Sequence, residues 1–165
     1  MPCCSCLKAG GNGAAQLTKF GGWNHAHPGN SGPSPDDVFL LIENLSQPDL
    51  VSTGATAIKY YRDSASITVV TSQGNYVVTV KDWGKLQAAY ERFSDDPGGF
   101  DDEYRDFAGI YLQQYATANG SASIYALSQL LGASINVYRE DRNLNGGSYY
   151  PVKNTGMLIT PLNCQ

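Results

Sequence analysis

The 165 residues, 42% hydrophobic and only 16% charged, set the scale of one ordinary domain, with charge well below the roughly one quarter usual in globular chains. With 15 acidic against 11 basic residues and a pI near 5.0, the chain carries no electrostatic footprint for duplex DNA or anionic lipid, so no nucleic-acid partner is expected. The longest purely apolar run, 38–42, falls far short of the roughly 20 residues of a membrane-spanning helix, and no charged segment precedes an apolar leader. The expected location is intracellular or cytoplasmic without a membrane span, or the virion if the protein is viral.

Residues 1–35 differ from the rest: seven Gly, four Pro, two Lys and no acid. Such composition buries too little apolar surface to offset ordering entropy, so it reads as a flexible Gly/Pro/Cys-rich arm in which Phe20 and Trp23 are the anchors. A single domain over 36–165 follows.

In that domain, Ser34-Pro35-Asp36-Asp37 supplies helix-cap chemistry and 38–45 the apolar residues, which suits a short helix or a buried strand equally. Segments 57–62, 66–71 and 75–81 are rich in β-branched and aromatic residues with turn formers between them, and predict a three-stranded antiparallel meander. Asp82 caps a helix to about Ser94, with Trp83, Leu86, Tyr90 and Phe93 on one face. The run 95–99 breaks it. Acids at 101–103 then open a second helix with Phe107, Ile110, Tyr111 and Tyr115 as its apolar face. Ser121 or Ser123 caps a third, carrying Ile124, Leu127, Leu130 and Leu131 and ending at Gly132. Strands at 134–138, near Tyr149 and at 157–160 complete an α+β fold: meander, about three helices, C-terminal strands. From Phe107 to Tyr138 there is no Asp, Glu, Lys or Arg. Either these helices lie inside the fold or their outer faces meet another protein, because interface cores are depleted in charge.

Three of the four cysteines, Cys3, Cys4 and Cys6, crowd the first six residues, and Cys164 stands near the end. Adjacent cysteines do not readily bridge each other, so no disulfide framework is expected. The thiols with His25 and His27 are the set that a tetrahedral zinc ion would use, but Cys-Cys-x-Cys and a distant His-x-His fit the paired spacing of structural zinc poorly. The expectation is no metal and no cofactor. Nucleophilic catalysis would use Cys6 with His25 or His27 as base, built on the least preorganised part of the chain. Serine chemistry would need the same histidines, and no Gly-x-Ser-x-Gly elbow is present. The acids at 95–106 lack the alternating order of a calcium loop and read as helix-end electrostatics.

Residues 107–141, with Tyr111-Leu112 leading to Ala126-Leu127-Ser128 and then Val137-Tyr138, resemble the C-terminal half of OTU-family cysteine proteases, which cleave ubiquitin chains or viral polyproteins. The resemblance implies a related packing of helix, helix and strand. The family's catalytic Cys in an Asp-Gly-x-Cys turn and its late His have no counterpart here, so it does not carry the chemistry across. The Cys- and Gly-rich start ahead of a sheet-helix domain is also similar to small viral proteins, notably structural or accessory proteins of tailed phages.

The sequence thus favours a non-enzymatic protein-binding or assembly module, a viral structural or accessory role among its forms, with a protein partner or self-association. Aromatic anchors dominate such contacts, which makes Phe20, Trp23, Tyr149 and Tyr150 the contact candidates. The alternative is a divergent or inactive OTU-like cysteine hydrolase using Cys6 and His25 or His27.

Overall fold

The computed structural model describes residues 22–27, 31–72, 74–116, 120–141, 148–155 and 158–161. The fold is α+β, as the sequence predicts, with the elements in a different order. Strand β1 (Gly22–Ala26) is followed by helices α1 (Pro35–Glu43), α2 (Pro48–Thr53) and α3 (Ala55–Ser64), with a 3-10 turn at Asn44–Ser46 between the first two. Strands β2 (Ser66–Thr71) and β3 (Gly74–Val80) come next. Helices α4 (Trp83–Asp95), α5 (Pro97–Tyr115) and α6 (Ser121–Leu131) then lead to β4 (Ile135–Asp141), β5 (Ser148–Thr155) and β6 (Leu158–Pro161).

The six strands form one sheet in the order β1-β2-β3-β4-β5-β6, parallel between β1 and β2 and antiparallel elsewhere. Two predictions are corrected. Residues 57–62 are helical, because Tyr61 at a helical spacing from Ala57 and Ile58 buries against α1, where its hydroxyl donates to the Leu41 carbonyl at 2.9 Å. Tertiary burial overrides the β-propensity of Ile58, Tyr60 and Tyr61. The strand that completes the antiparallel set with β2 and β3 is β4, which returns after three helices. The second correction concerns the arm: Gly22–Ala26, which the composition assigns to it, form strand β1, paired with β2 from Gly22↔Ser66 to Ala26↔Val70. Residues 1–21, among them Phe20, lie outside the described residues, as does Cys164.

Alternation along the strands buries Ile67, Val69, Tyr76, Val78, Ile135 and Val137 on one face of the sheet. The helices meet that face with Val38, Phe39, Leu41, Leu86, Phe100, Ile124, Leu127 and Leu131, which share one core with it. Phe39 is a hub of the helical layer, with Phe93 at 4.9 Å between ring centroids and Tyr90 and Phe100 each at 5.5 Å. These offset and edge-on contacts join α1 to α4 and α5. Tyr111 and Tyr125, 5.4 Å apart, join α5 to α6.

The predicted cap at Asp82 is present, its carboxylate accepting from the Lys85 N–H. Asp96 does the same for Gly99, so Pro97-Gly98-Gly99 forms the first turn of α5 rather than a gap between helices. Helix α6 starts after Gly120 without a side-chain cap. Gly120 has φ +68°, and a Cβ there would lie 2.4 Å from the Tyr76 hydroxyl, so both backbone shape and space call for glycine.

Candidate functional site

A buried polar cluster lies where the chain leaves β1 and enters α1. Ser34 caps α1 and Asp37 closes a capping box: the Asp37 N–H donates to Ser34 Oγ at 3.3 Å, while Asp37 Oδ2 accepts from the Ser34 N–H and from Ser34 Oγ, both at 2.7 Å. His27, one residue past β1, brings its Nε2 to 3.3 Å from the same Asp37 oxygen. Its Nδ1 lies 3.1 Å from the Ser31 carbonyl and 3.5 Å from Ser31 Oγ. The Asp37 side chain is 0% exposed and that of His27 15%, so the pair is shielded but reachable from solvent at the imidazole.

The surroundings are acidic and tightly packed. Tyr104 of α5 donates its hydroxyl to the Pro33 carbonyl at 3.2 Å, pinning the loop. Burial raises the Tyr104 phenol above its usual range, Ser123 lowers it by a side-chain hydrogen bond, and the charges of Asp37 and Asp101 raise it further. Asp36 is raised first by desolvation, then by Asp101 and Asp37. Gly32 sits against α6, where a Cβ would come within 3.0 Å of the Gly120 carbonyl oxygen.

Chemically, His27 faces an acceptor from each ring nitrogen: a peptide carbonyl at Nδ1 and a carboxylate at Nε2. The doubly protonated ring satisfies both; a neutral ring satisfies one. For His27 to take a proton from Ser31 Oγ or from a thiol, Nδ1 must face the Ser31 carbonyl without its proton. The arrangement therefore holds chain segments together more readily than it activates a nucleophile.

Of the sequence candidates, only His27 enters this cluster with a described side chain. His25 pairs through its backbone with Val69 and Trp23 with Ile67; their side chains, like Cys3, Cys4, Cys6 and Phe20, lie outside the described residues. Among the described residues no group of three or more His, Cys, Asp or Glu is arranged to hold a metal ion. Tyr149 and Tyr150 are half-buried on β5, opposite Glu140 and Arg139. Burial and the Glu140 charge raise the Tyr149 phenol, and a hydrogen bond with Asn75 lowers it, so this ring is engaged within the sheet. The acids at 101–103 do not open α5, which begins at Pro97 and has no acid in its first turn; Glu103 and Asp102 instead form the exposed ion pairs Arg92–Glu103 (2.9 Å) and Arg105–Asp102 (3.3 Å).

Two further surfaces stand out. An open cleft of about 390 Å³ runs between the end of α1, α3 and α4, lined by Ile42, Glu43, Arg62, Gln87 and Tyr90 among others. On α5, Ile110 and Leu112 are 46% and 45% exposed beside exposed Gln113 and Gln114. Ile110, assigned from its spacing to the buried face, points outward instead; Tyr111 takes the buried place. Asp37 was legible only as a cap, and nothing local in the sequence joins it to His27.

No family model matches the chain, and no curated protein or solved structure matches it either. Among the described residues no helix is long and apolar enough to cross a membrane.

Proposed function

We propose that this chain is a non-enzymatic protein-binding and assembly module that associates with a second copy of itself through the outer side of the C-terminal half of α5. The observation that supports the reading is the exposure of Ile110 and Leu112 on a stretch with no charged residue from 107 to 138. Large apolar side chains with uncharged amides around them have the composition of an interface core. Self-association suits the charge distribution: a chain of net charge −4 repels its own copies least where it carries no charge, and the nearby acids Asp101, Asp102, Glu103 and Asp106 all lie in the preceding turns of the same helix.

Light scattering across concentration tests it. The expected result is a mass of twice 17.8 kDa that falls to the single-chain value in the Ile110→Asp/Leu112→Asp variant, with the circular dichroism spectrum unchanged. A monomer at every concentration overturns the self-association reading.

The alternative reading, a divergent OTU-like cysteine hydrolase, draws support from the His27–Asp37 contact, since a base needs an orienting carboxylate. Its test is reaction with ubiquitin-type thiol probes that is lost in Cys6→Ala and in His27→Gln; absence of labelling in the wild type sinks it.

A further inference from the structure

We propose that the cleft between α1, α3 and α4 binds a small zwitterion of dipeptide size with apolar side chains, Arg62 receiving its carboxylate and Glu43 its ammonium group. The cleft, about 390 Å³, has the volume of a small-molecule site. Its lining grades from apolar to charged. Ile42 is buried, Leu45 and Tyr90 are half-buried, and Glu43 and Arg62 are exposed. The elements that carry these side chains are tied to one another. Trp83 Nε1 of α4 donates to the Arg62 carbonyl at 3.0 Å, and Tyr61, the residue before Arg62, donates to the Leu41 carbonyl of α1 at 2.9 Å. The Tyr90 ring meets Phe39 edge-on at 5.5 Å between centroids.

Glu43 and Arg62 carry opposite charges in one cleft and yet do not pair: among the described residues neither side chain forms an ion pair. Glu43 Oε1 accepts from the Tyr90 hydroxyl at 3.4 Å, and its Oε2 has no partner among the described residues. These two charges select among ligands. A simple carboxylic acid gains Arg62 but meets Glu43 and a chain of net charge −4; a simple amine gains Glu43 but meets Arg62. An uncharged apolar molecule makes both groups give up water without offering either a partner. A zwitterion answers both charges at once, and apolar side chains between its ends cover Ile42, Leu45 and the Tyr90 ring. The planar guanidinium suits the carboxylate end, since its paired donors can take both oxygens.

Titration of the full chain with leucyl-leucine, followed in nitrogen–proton correlation spectra, tests the site. Shifts should centre on residues 42–46, 62 and 87–90, with a Kd of about 1 mM or below for a ligand of this size. Arg62→Gln and Glu43→Gln, with circular dichroism unchanged, should each weaken binding about fivefold, as suits exposed charges. Amidating the ligand's carboxylate should weaken binding to the wild type by the same factor and to Arg62→Gln no further, and acetylating its amine should do likewise with Glu43→Gln. The proposal is overturned by the absence of shifts in the cleft up to about 10 mM ligand, or by binding that is unchanged in both variants. It is also overturned if the doubly blocked N-acetyl-leucyl-leucine amide binds as tightly as leucyl-leucine, which would make the cleft a groove for an internal apolar peptide segment.

Discussion

Replacing Asp37 with alanine should be among the most damaging single changes at the start of α1, and its size follows from what the carboxylate holds. At least three groups lose their acceptor: the Ser34 N–H and Ser34 Oγ, each at 2.7 Å, and His27 Nε2 at 3.3 Å. A hydrogen bond to a charged group contributes about 1.5–3 kcal/mol net, but these three share one oxygen and are not additive. Water can replace the acceptor at the partly exposed His27 and the Ser34 hydroxyl can rotate, so the expected loss is about 3–4 kcal/mol at neutral pH. For a chain of this size that is roughly 8–14 °C in Tm. Ser34→Ala, which removes one donor to Asp37 and the cap acceptor of the Asp37 N–H, should cost about 2 kcal/mol. The double variant should fall short of the sum by about 1–2 kcal/mol, because both changes break the same box. Urea unfolding followed by circular dichroism and tryptophan fluorescence measures all three. A loss below about 1 kcal/mol in Asp37→Ala, or strict additivity with Ser34→Ala, would refute the capping-box account.

Two more predictions concern buried phenols and their neighbours. Burial pushes the Tyr61 phenol up to about 12, against a smaller lowering by the neighbouring Asn44 side chain. Because this folded value lies above the unfolded one, the contribution of Tyr61 is complete below about pH 10 and is lost as pH rises toward about 12. Tyr61→Phe should lose about 1 kcal/mol at neutral pH with its bond to the Leu41 carbonyl, yet unfold less steeply in alkali; identical alkaline transitions in the two proteins would count against it. Gly120→Ala places a Cβ in the left-handed region against the Tyr76 hydroxyl and should cost about 2–3 kcal/mol. Adding Tyr76→Phe should return part of that loss in a thermal melt, and no return would mean that backbone strain alone is responsible.

The parts of this fold legible in the sequence are those whose signals are local. Asp82 caps its helix through its own next turn, and the stripes of α4 and α6 repeat at helical spacing, so existence and rough bounds follow from a few neighbouring residues. Segment 57–62 fails because Ile58, Tyr60 and Tyr61 favour strands, while the contact that decides the matter, Tyr61 to Leu41, spans 20 residues. β1 fails for the opposite reason. Gly-Trp-Asn-His-Ala has no alternating pattern, and its structure comes from the edge that β2 offers, more than 40 residues on. The candidate site shows the same division. The cap at Ser34 is readable and the rarity of histidine draws attention to His27, but their meeting depends on the turn of the chain between β1 and α1.

The uncharged run from 107 to 138 poses two alternatives for its helices, burial or a partner, and each helix resolves it differently. In α6, Ile124, Tyr125, Ala126, Leu127 and Leu131 are all buried, and the absence of charge follows from position alone, because an ionised side chain there would have to be desolvated. In α5, of the residues in this run, only Tyr111 is fully buried; Ile110, Leu112, Gln113 and Gln114 face outward, where a solvated helix surface ordinarily carries Lys and Glu. Burial in the monomer explains the composition of the first helix and leaves that of the second without a cause. The same helix carries four acids and one Arg between 101 and 106, so its surface is not weakly charged throughout. The proposed self-association would supply that cause, and this is why charges introduced at 110 and 112 discriminate the assembly reading more sharply than any change to the buried helix beside it.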